Sequence, residues 1–482
     1  MCELSATLAA YQGAGYVVAP AGYGKTYLIA ESTARSTGRQ LILTHTYAGV
    51  NALRRKMRAL GVSDRLHRID TIASWVLRLS LSYSGTSGWT DERPEDNERW
   101  NALYDASARL LDHGFIRRIV RASYDGIYVD EYQDCSNAQH GIVLKLARDL
   151  PCRVLGDPLQ GIFDFDGQNL VDWARDVEGS FERLGALEVP HRWIQNGADD
   201  LGAWLRNVRI RLELGQPIDL NVGRPAAVTF THTNADPPAL FRSQGNACRF
   251  FQCERGHTVI AIHKGAQEYK AKCHKLSRNL GGRFSSIEEV EGKELFSFMR
   301  KLERARTDAA RLTEVISFAK RCMTAVEQNL PAGTVRGEQV SIRTNTRNPE
   351  AARKANAYLT APSSAAMSGI LLALRKTAGI AIFRADLFYR ALGALNKHVL
   401  HPELSLTEAA EKYHGEFRYK GRPVGRRKLI GTTLLVKGLE FDHAIVLDAA
   451  SLSKKELYVA LTRGARSLTI ISTTPLLNPG AD

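Results

Sequence analysis

Residues 16–26 read YVVAPAGYGKT, a short apolar run followed by a turn rich in glycine. The apolar residues predict a strand, and the stretch YLIAESTARS that follows Thr26 predicts a helix. Between the two elements, Gly22 and Gly24 let the backbone approach a ligand more closely than a Cβ atom would allow. A strand, such a turn and a helix N-terminus together surround phosphate groups with backbone N–H donors. The stretch therefore predicts a phosphate-binding loop in an α/β fold.

Each residue of this loop has an expected task if the phosphates belong to ATP. Lys25 would reach the β- and γ-phosphates, and the Thr26 hydroxyl would bind Mg²⁺. Ala21 and Tyr27 would complete the nucleotide-binding set with the two glycines. Ala19 occupies the position where a first glycine is usual, and its small side chain is compatible with the loop. The alternative interpretation is an ordinary glycine-rich turn between a strand and a helix.

A second stretch, IYVDEYQD (127–134), places three carboxylates directly after an apolar run. Carboxylates this close repel one another, and their burial is costly unless a cation or hydrogen-bond donors compensate. Mg²⁺ on a bound nucleotide would supply the positive charge. Asp130 would then hold the metal, and Glu131 would activate the attacking water as general base.

Length and charge indicate a protein of two or more domains with a polyanionic partner. The chain has 482 residues, a net charge of +14 and 44% apolar residues. Basic clusters such as 54–56, 117–121 and 419–428 are candidate contacts to nucleic-acid phosphates. A solvated basic surface is the alternative for any one cluster.

The chain carries no stretch typical of a transmembrane helix or a signal peptide, so we expect a cytoplasmic protein with no membrane partner. Its seven scattered cysteines favour reduced thiols. A group of Cys and His residues is a candidate zinc site: Cys248, Cys253, His257, Cys273 and His274. Their spacing is not that of a standard zinc finger, and we expect structural thiols and surface histidines instead.

The DEYQD stretch resembles the signature of the UvrD/Rep/PcrA-type superfamily 1A DNA helicases. Further segments resemble motifs III, IV, V and VI of that family and follow in its order, namely VLGDPLQGIFDF (154–165), LEVPHRW (187–193), TTLLVKGLEFD (432–442) and KELYVALTRGA (455–465). The resemblance covers residues 16–465. It implies an α/β protein with two RecA-like P-loop NTPase lobes, each a parallel sheet flanked by helices and each with a small helical insertion.

The resemblance also implies roles for individual residues. Gln160 would contact the γ-phosphate of ATP, and Gly438 and Glu440 would lie near the γ-phosphate and the ribose. Arg192 and Arg463 would be arginine fingers, supplied by the second lobe, that neutralise charge on the transferred phosphoryl group.

The segments that would face DNA depart from the family pattern. Thr44 and Thr46 are kept in the counterpart of motif Ia and Thr71 in that of motif Ib, and we expect them to contact DNA. Phe163 and Phe165 are candidates for stacking on single-stranded bases.

Three further candidates rest on position alone. Gln12 is the residue closest to the adenine-reading glutamine of the family, although it lies much nearer to the first strand. His45 and Trp75 could stack on bases, or they could be ordinary core aromatics.

The spacing of these motifs predicts the division of the chain. Residues 1–72 and 120–190 would form lobe 1A, with a reduced 1B-like insertion at 73–119; residues 191–294 and 426–482 would form lobe 2A, with a reduced 2B-like helical insertion at 295–425.

The leading hypothesis is a DNA-dependent ATPase and 3′→5′ helicase that uses ATP and Mg²⁺ and moves on single-stranded DNA. The alternative is an ATPase subunit that senses nucleotides or DNA ends and regulates a partner nuclease, with little unwinding. The compact length and the altered DNA-facing segments favour this alternative, and the size resembles that of the helicase-like subunit of the Gabija anti-phage systems.

Overall fold

The computed structural model describes residues 2–92, 94, 96–162, 170–289, 292–420 and 425–480. The chain divides into two compact units, of which unit 1 comprises Met1–Gln216, Ser453–Thr462 and Gly480–Asp482, and unit 2 comprises Pro217–Leu452 and Arg463–Pro479.

A parallel sheet forms the centre of unit 1. Its strands are β1 (Ala14–Val18), β2 (Gln40–Thr44), β3 (His67–Thr71), β4 (Gly126–Val129), β5 (Cys152–Gly156) and β6 (Glu182–Ala186). The described strands pair in the order β3-β2-β4-β5-β1-β6, and every pairing is parallel. All carboxyl ends of the strands therefore lie at one edge of the sheet, which is where ligands bind in open α/β folds.

Helices precede, separate and follow these strands along the chain. They are α1 (Cys2–Ala10), α2 (Lys25–Arg35), α3 (Tyr47–Ala59), α4 (Ile72–Ser82), α5 (Ser84–Ser87), α6 (Asn97–Leu110), α7 (Gly114–Ser123), α8 (Asn137–Ala147), α9 (His191–Gln195) and α10 (Asp199–Glu213). Side chains cap several of their N-termini; Ser136 and Gln139, for example, form a capping box at α8.

The helices within residues 73–119 share one hydrophobic core with the sheet. Leu103 of α6 and Ile116 of α7 belong to the same buried cluster as Val129 and Val154 of the central strands. The segment predicted as a reduced insertion therefore packs directly on the lobe.

Unit 2 has a parallel sheet of its own. The strands of unit 2 are β7 (Ile218–Asp219), β8 (Val228–His232), β9 (Val259–His263), β10 (Ser285–Ser286), β11 (Lys428–Thr432), β12 (Phe441–Val446), β13 (Gly464–Ser472) and β14 (Leu476–Leu477). Six of the described strands pair in the order β10-β11-β9-β12-β13-β8, again all parallel, while β7 and β14 form a separate antiparallel pair.

Most helices of unit 2 lie between β10 and β11. These helices are α13 (Lys293–Arg304), α14 (Asp308–Cys322), α15 (Ala332–Val335), α16 (Pro349–Thr360), α17 (Ser364–Lys376), α18 (Ala385–Leu400) and α19 (Leu406–Lys420). Two helices of unit 2 come earlier in the chain, α11 (Pro237–Phe250) and α12 (Gln267–Asn279), and α20 (Thr433–Val436) follows β11. The last helix of the chain, α21 (Lys454–Leu461), belongs to unit 1. Residues of α13, α14 and α16–α19 surround a separate hydrophobic core that includes Phe298, Phe318 and Phe388.

Two parallel sheets flanked by helices confirm the predicted α/β fold with two RecA-like lobes. Among the described residues, no helix has the length and apolar character needed to cross a membrane.

Candidate nucleotide-binding site

The predicted phosphate loop follows β1 at the carboxyl edge of the unit 1 sheet. Gly22 and Gly24 have φ angles of 77° and 95°, in the left-handed region that glycine adopts without strain. A Cβ atom on Gly22 would also lie 2.9 Å from the ring of Trp193. Helix α2 begins at Lys25, so the N–H groups of its first turn are available at the end of the loop.

Lys25 joins this loop to the acidic end of β4. Its Nζ lies 2.7 Å from Oε1 of Glu131 and 3.2 Å from Oδ1 of Asp130, and its side chain is only 10% exposed. Burial alone would lower the pKa of Lys25, but the charges of Asp130 and Glu131 outweigh it and raise the pKa above its ordinary value. The structure therefore brings together the three residues that the two motifs predicted.

The two carboxylates differ in their surroundings. Asp130 is buried, and its burial raises the pKa of the carboxyl, an effect that Lys25 opposes and Glu131 reinforces. Glu131 is partly exposed and has a φ of 58°, which is uncommon for a residue with a Cβ atom. Its Oε2 accepts a hydrogen bond of 2.7 Å from Nε2 of Gln133. The Glu131 carboxylate therefore lies against both the Lys25 ammonium and the Gln133 amide.

These residues are of the types that ATP and Mg²⁺ require. The left-handed glycines leave room at the loop, and the buried ammonium of Lys25 adds positive charge for phosphate. The paired carboxylates and the Thr26 hydroxyl, in the first turn of α2, are oxygen ligands of the kind that Mg²⁺ prefers.

Asp157 connects the loop to the end of β4. It follows β5, which lies between β4 and β1 in the sheet, and its side chain is fully buried. Its carboxylate accepts hydrogen bonds from the N–H of Ala21 (3.3 Å) and from Nε2 of Gln160 (2.9 Å). Its own N–H donates to Oε1 of Gln133 (2.9 Å). The residue predicted to contact the γ-phosphate, Gln160, is therefore held beside the loop by Asp157.

Arg209 of α10 completes this arrangement, which we call the Asp157 network (Gln133, Asp157, Gln160, Arg209 and Tyr458). One guanidinium nitrogen of Arg209 lies 2.7 Å from Oδ1 of Asp157 and donates to the Tyr458 hydroxyl of α21 at 2.9 Å. Burial alone would lower the pKa of Arg209, but Asp157, Tyr458 and Glu213 raise it. Sequence reasoning missed Asp157, Arg209 and Tyr458, since no local pattern pairs residues so distant along the chain.

Arg192 lies in unit 1, whereas the sequence placed it at the start of the second lobe. Its N–H donates to the Gly22 carbonyl at 2.9 Å, and its guanidinium donates to the Thr462 carbonyl at 2.6 Å. The hydrogen bond to Gly22 and the contact of Trp193 with the loop explain this placement. Arg192 is thus directly attached to the phosphate loop.

Arg463 lies in unit 2 and is only 2% exposed. It donates to the Leu439 carbonyl at 3.2 Å, and its own carbonyl accepts from the N–H of Phe441. The predicted nucleotide contacts Gly438, with a φ of 74°, and Glu440, which is exposed, flank Leu439. Within unit 2, the end of the motif VI counterpart, from Arg463 onward, is therefore in contact with the motif V counterpart.

The structure does not bring Gln12 to the phosphate loop. Gln12 lies between the end of α1 and the start of β1, at the amino edge of the sheet, and its amide donates to the Ala10 carbonyl. Since the loop follows the carboxyl end of β1, the strand separates Gln12 from it.

The threonines predicted to contact DNA lie at the carboxyl edge of the unit 1 sheet, and two of them cap helices. The Thr46 hydroxyl accepts from the N–H of Gly49 at the start of α3, and the Thr71 hydroxyl accepts from the N–H of Ser74 at the start of α4. Thr44 and Thr71 are buried, whereas Thr46 is exposed.

The structure describes only some of the residues predicted to stack on DNA bases, and their surroundings differ. Phe163 and Phe165 lie outside the described residues. Trp75 is 5% exposed and belongs to the hydrophobic core of unit 1, which supports its interpretation as a core aromatic. Nε2 of His45 lies 3.4 Å from Sγ of Cys135.

The Cys and His residues considered for a zinc site contact the hydrophobic core of unit 2 or other polar side chains. Cys248 and Cys273 are buried in the core of unit 2, and Cys253 packs against that core. His257 bonds His443, and His274 lies 3.6 Å from Glu288. In the part of the chain that the structure describes, no group of three or more Cys, His, Asp or Glu side chains is arranged to hold a metal ion.

His263 is a residue that sequence reasoning did not select. It is the last residue of β9, is 3% exposed and pairs in register with Thr432 of β11 at the carboxyl edge of the unit 2 sheet. Within the described residues, neither of its ring nitrogens has a hydrogen-bond partner. Burial lowers the pKa of His263 to about 3.

This burial predicts a pH-dependent stability. An unfolded histidine titrates near pH 6.5, so between that value and about pH 3 the unfolded chain binds a proton that folded His263 does not. The free energy of unfolding should fall as the pH drops below about 6.5, by up to about 1.4 kcal/mol per pH unit from this group. Denaturant unfolding between pH 7.5 and 5 should show a smaller loss for His263→Gln than for wild type. The exposed-residue control His232→Gln should follow wild type; parallel curves for all three would contradict the prediction.

Comparison with known proteins identifies part of the chain. Residues 97–173 match the family model of the UvrD/REP helicase N-terminal domain. This range contains Asp130, Glu131 and Gln160 and begins after the phosphate loop. No curated protein matches the chain.

Several solved helicase structures share a distant likeness. The arterivirus nonstructural protein 10 helicase in complex with DNA is 10% identical, with a TM-score of 0.36 and coverage of 98% of this chain and 62% of that one. The same helicase in another crystal structure is 11% identical, with a TM-score of 0.35, and the chain spans 61% of its length. The Pif1 helicase from Candida albicans is 10% identical, with a TM-score of 0.40 and coverage of 98% and 93%.

The site carries the loop, the acidic strand end and the glutamine that the motifs predicted, and the matched range contains two of these three features. The resemblance to UvrD/REP-type helicases that the motifs predicted is therefore confirmed over residues 97–173, which match the model of the UvrD/REP helicase N-terminal domain.

Proposed function

We propose that the protein is a DNA-dependent ATPase that acts as a 3′→5′ DNA helicase of the UvrD-like class. The observation that carries this proposal is the contact of Lys25 with Asp130 and Glu131 beside a loop built for phosphate. The family match at residues 97–173 and the net charge of +14 support nucleic acid as the partner.

Bound ATP with Mg²⁺ would supply the phosphoryl group that is transferred to water and the cation that offsets its charge. Thr26 and Asp130 would hold the Mg²⁺, and Lys25 would bind the β- and γ-phosphates. The ionised Glu131 would accept a proton from the attacking water, whose oxygen forms a bond to the γ-phosphorus as the bond to the leaving oxygen breaks. Gln160 would bind the γ-phosphate from its position beside Asp157.

We propose that both arginines neutralise charge on the phosphoryl group, although Arg192 lies in unit 1 and not in the second lobe. Arg192 is attached to the loop through Gly22, so its guanidinium belongs to the same unit as Lys25. We propose that it stabilises charge on the transferred phosphoryl group, and that Arg463, which bonds the Leu439 carbonyl between Gly438 and Glu440, serves as the second arginine.

The substitution Glu131→Gln is expected to abolish most ATP hydrolysis while leaving ATP binding in place. The amide keeps the size of the side chain but cannot accept the proton of water, so we expect kcat to fall by about 100- to 10,000-fold while ATP still binds. Steady-state ATPase assays and equilibrium binding of a fluorescent ATP analogue measure the two effects. Glu182→Gln, a carboxylate of the edge strand β6, should leave both unchanged. Undiminished turnover in Glu131→Gln would refute the proposed role of this residue.

A second candidate function is an ATPase subunit that senses DNA ends and regulates a partner nuclease. Burial of Thr44 and Thr71 favours it, because both side chains are withdrawn from solvent at the edge expected to face DNA. This function predicts that DNA stimulates ATP hydrolysis without strand displacement. Displacement of a tailed duplex by the protein alone would exclude it.

A further inference from the structure

A cavity of about 540 Å³ lies in unit 1, bordered by the residues before β2 and β3 and by the C-terminal half of α3. Its volume is in the range of small-molecule sites. The polar side chains that line it are Arg39, Arg54, Arg58, Asp64, His67 and Arg68.

The cavity has a strong excess of positive charge. Four guanidinium groups face one carboxylate, that of Asp64. In the described part of the chain, the guanidinium groups of Arg39 and Arg58 have no carboxylate partner, although the backbone N–H of Arg39 donates to the Asp125 carboxylate. Arg54 donates only a long hydrogen bond, of 3.4 Å, to the Ile69 carbonyl. Such gathered like charges favour an anion as occupant.

His67 adds a buried polar atom to the wall of the cavity. Its side chain is 8% exposed, and its Nε2 lies 3.6 Å from Oδ1 of Asp64, beyond hydrogen-bonding distance. Within the described residues, this nitrogen has no hydrogen-bond partner. Leaving such an atom unpaired is unfavourable, so a ligand that bonds it would be stabilised.

The cavity is distinct from the nucleotide-binding site. His67 and Thr71 are the first and last residues of β3, and Arg39 directly precedes β2, which ends at Thr44. Five residues of strand span about 13–16 Å. The phosphate loop and the predicted DNA-facing threonines are at the carboxyl edge, and the cavity is at the amino edge of the same sheet.

We propose that this cavity binds a terminal phosphate group or a short polyphosphate chain. Arginine matches phosphate oxygens with a fixed fork of donors, and a concave site accepts a chain end more readily than an unbroken phosphodiester backbone. His67 would donate to or accept from a phosphate oxygen through Nε2. The phosphate could belong to a free polyphosphate or to a 5′-phosphorylated DNA end, which share this chemistry.

Calorimetric titration of the full chain with inorganic tripolyphosphate tests the proposal. The Lys25→Ala background weakens the contribution of the phosphate loop. In that background, Arg54→Gln/Arg58→Gln should raise the Kd at least about 10-fold, because both side chains line the cavity. The matched double variant Arg55→Gln/Arg65→Gln removes the same charge from exposed residues outside the lining, and should change the Kd less than about 2-fold.

Two further measurements complete the test. His67→Phe should raise the Kd about 5-fold if its nitrogen bonds the ligand, and circular dichroism checks that the variants remain folded. A single-stranded oligonucleotide with a 5′-phosphate, compared with its 5′-hydroxyl form, distinguishes the two sources of the phosphate. If the protein binds the 5′-phosphorylated form more tightly and Arg54→Gln/Arg58→Gln removes that preference, the ligand is a DNA end. If the protein binds both forms equally, the ligand is the free polyphosphate. Equal effects of the two double variants, or no binding of either probe, would overturn the proposal.

Discussion

Replacing Lys25 with alanine is expected to lower kcat for ATP hydrolysis by at least about 100- to 1,000-fold. The change removes the ammonium proposed to bind the β- and γ-phosphates, and it also leaves Asp130 and Glu131 without their cation. Two uncompensated carboxylates at the loop would oppose the approach of a polyphosphate, so binding of ATP should weaken as well. Steady-state hydrolysis and equilibrium nucleotide binding measure the two losses.

Lys145→Ala is the matched control for this substitution. It also removes a lysine from an ion pair in unit 1, but its partner Asp112 is exposed and lies far from the loop in sequence. Exposed pairs contribute about 0–1 kcal/mol to stability, so hydrolysis and folding should both be retained. Normal turnover in Lys25→Ala would mean that the nucleotide is hydrolysed elsewhere.

Replacing Asp157 with alanine is expected to lower the free energy of unfolding by about 3–5 kcal/mol. The side chain is fully buried, and its loss leaves the guanidinium of Arg209, which is 8% exposed, with only the more exposed Glu213 as a carboxylate partner. The N–H of Ala21 and the amide of Gln160 lose their acceptor at the same time. Denaturant unfolding followed by tryptophan fluorescence measures the change.

A double-mutant cycle isolates the ion pair from the other contacts. Arg209→Met alone should also destabilise the protein, whereas Asp157→Asn/Arg209→Met should cost less than the two single changes added together. Asp112→Ala, at an exposed pair, should change stability by less than about 1 kcal/mol. Additive effects of Asp157→Asn and Arg209→Met would contradict the proposed coupling.

Local sequence patterns were sufficient to predict the centre of the unit 1 fold. The apolar run from Tyr16 corresponds to β1 (Ala14–Val18), IYV corresponds to the end of β4 (Gly126–Val129), and α2 begins at Lys25, two residues before the predicted stretch YLIAESTARS. These elements are defined by short-range apolar patterning and by a glycine turn, both of which are visible in a single sequence. Lys25 and Asp130 meet because β1 and β4 are parallel strands of one sheet, so the segments that follow them lie at the same edge.

The rest of the site depends on contacts that no local pattern contains. Asp157 meets Arg209 and Arg209 meets Tyr458 only because β5, α10 and α21 pack together, and these residues are 52 and 249 positions apart. Two local signals were nevertheless available. Thr46 and Thr71 each precede an apolar-periodic helix, which is the position of an N-cap residue.

The most direct test of the proposed function combines DNA-stimulated ATP hydrolysis with strand displacement by the wild-type protein. The assay compares duplexes with a 3′ single-stranded tail, a 5′ tail and no tail, at fixed salt because DNA binding is salt-dependent. A 3′→5′ helicase should hydrolyse ATP faster with each single-stranded tail and displace the strand only from the 3′-tailed duplex, and Glu131→Gln should abolish displacement. Hydrolysis that does not respond to DNA, or displacement that persists in Glu131→Gln, would contradict the account.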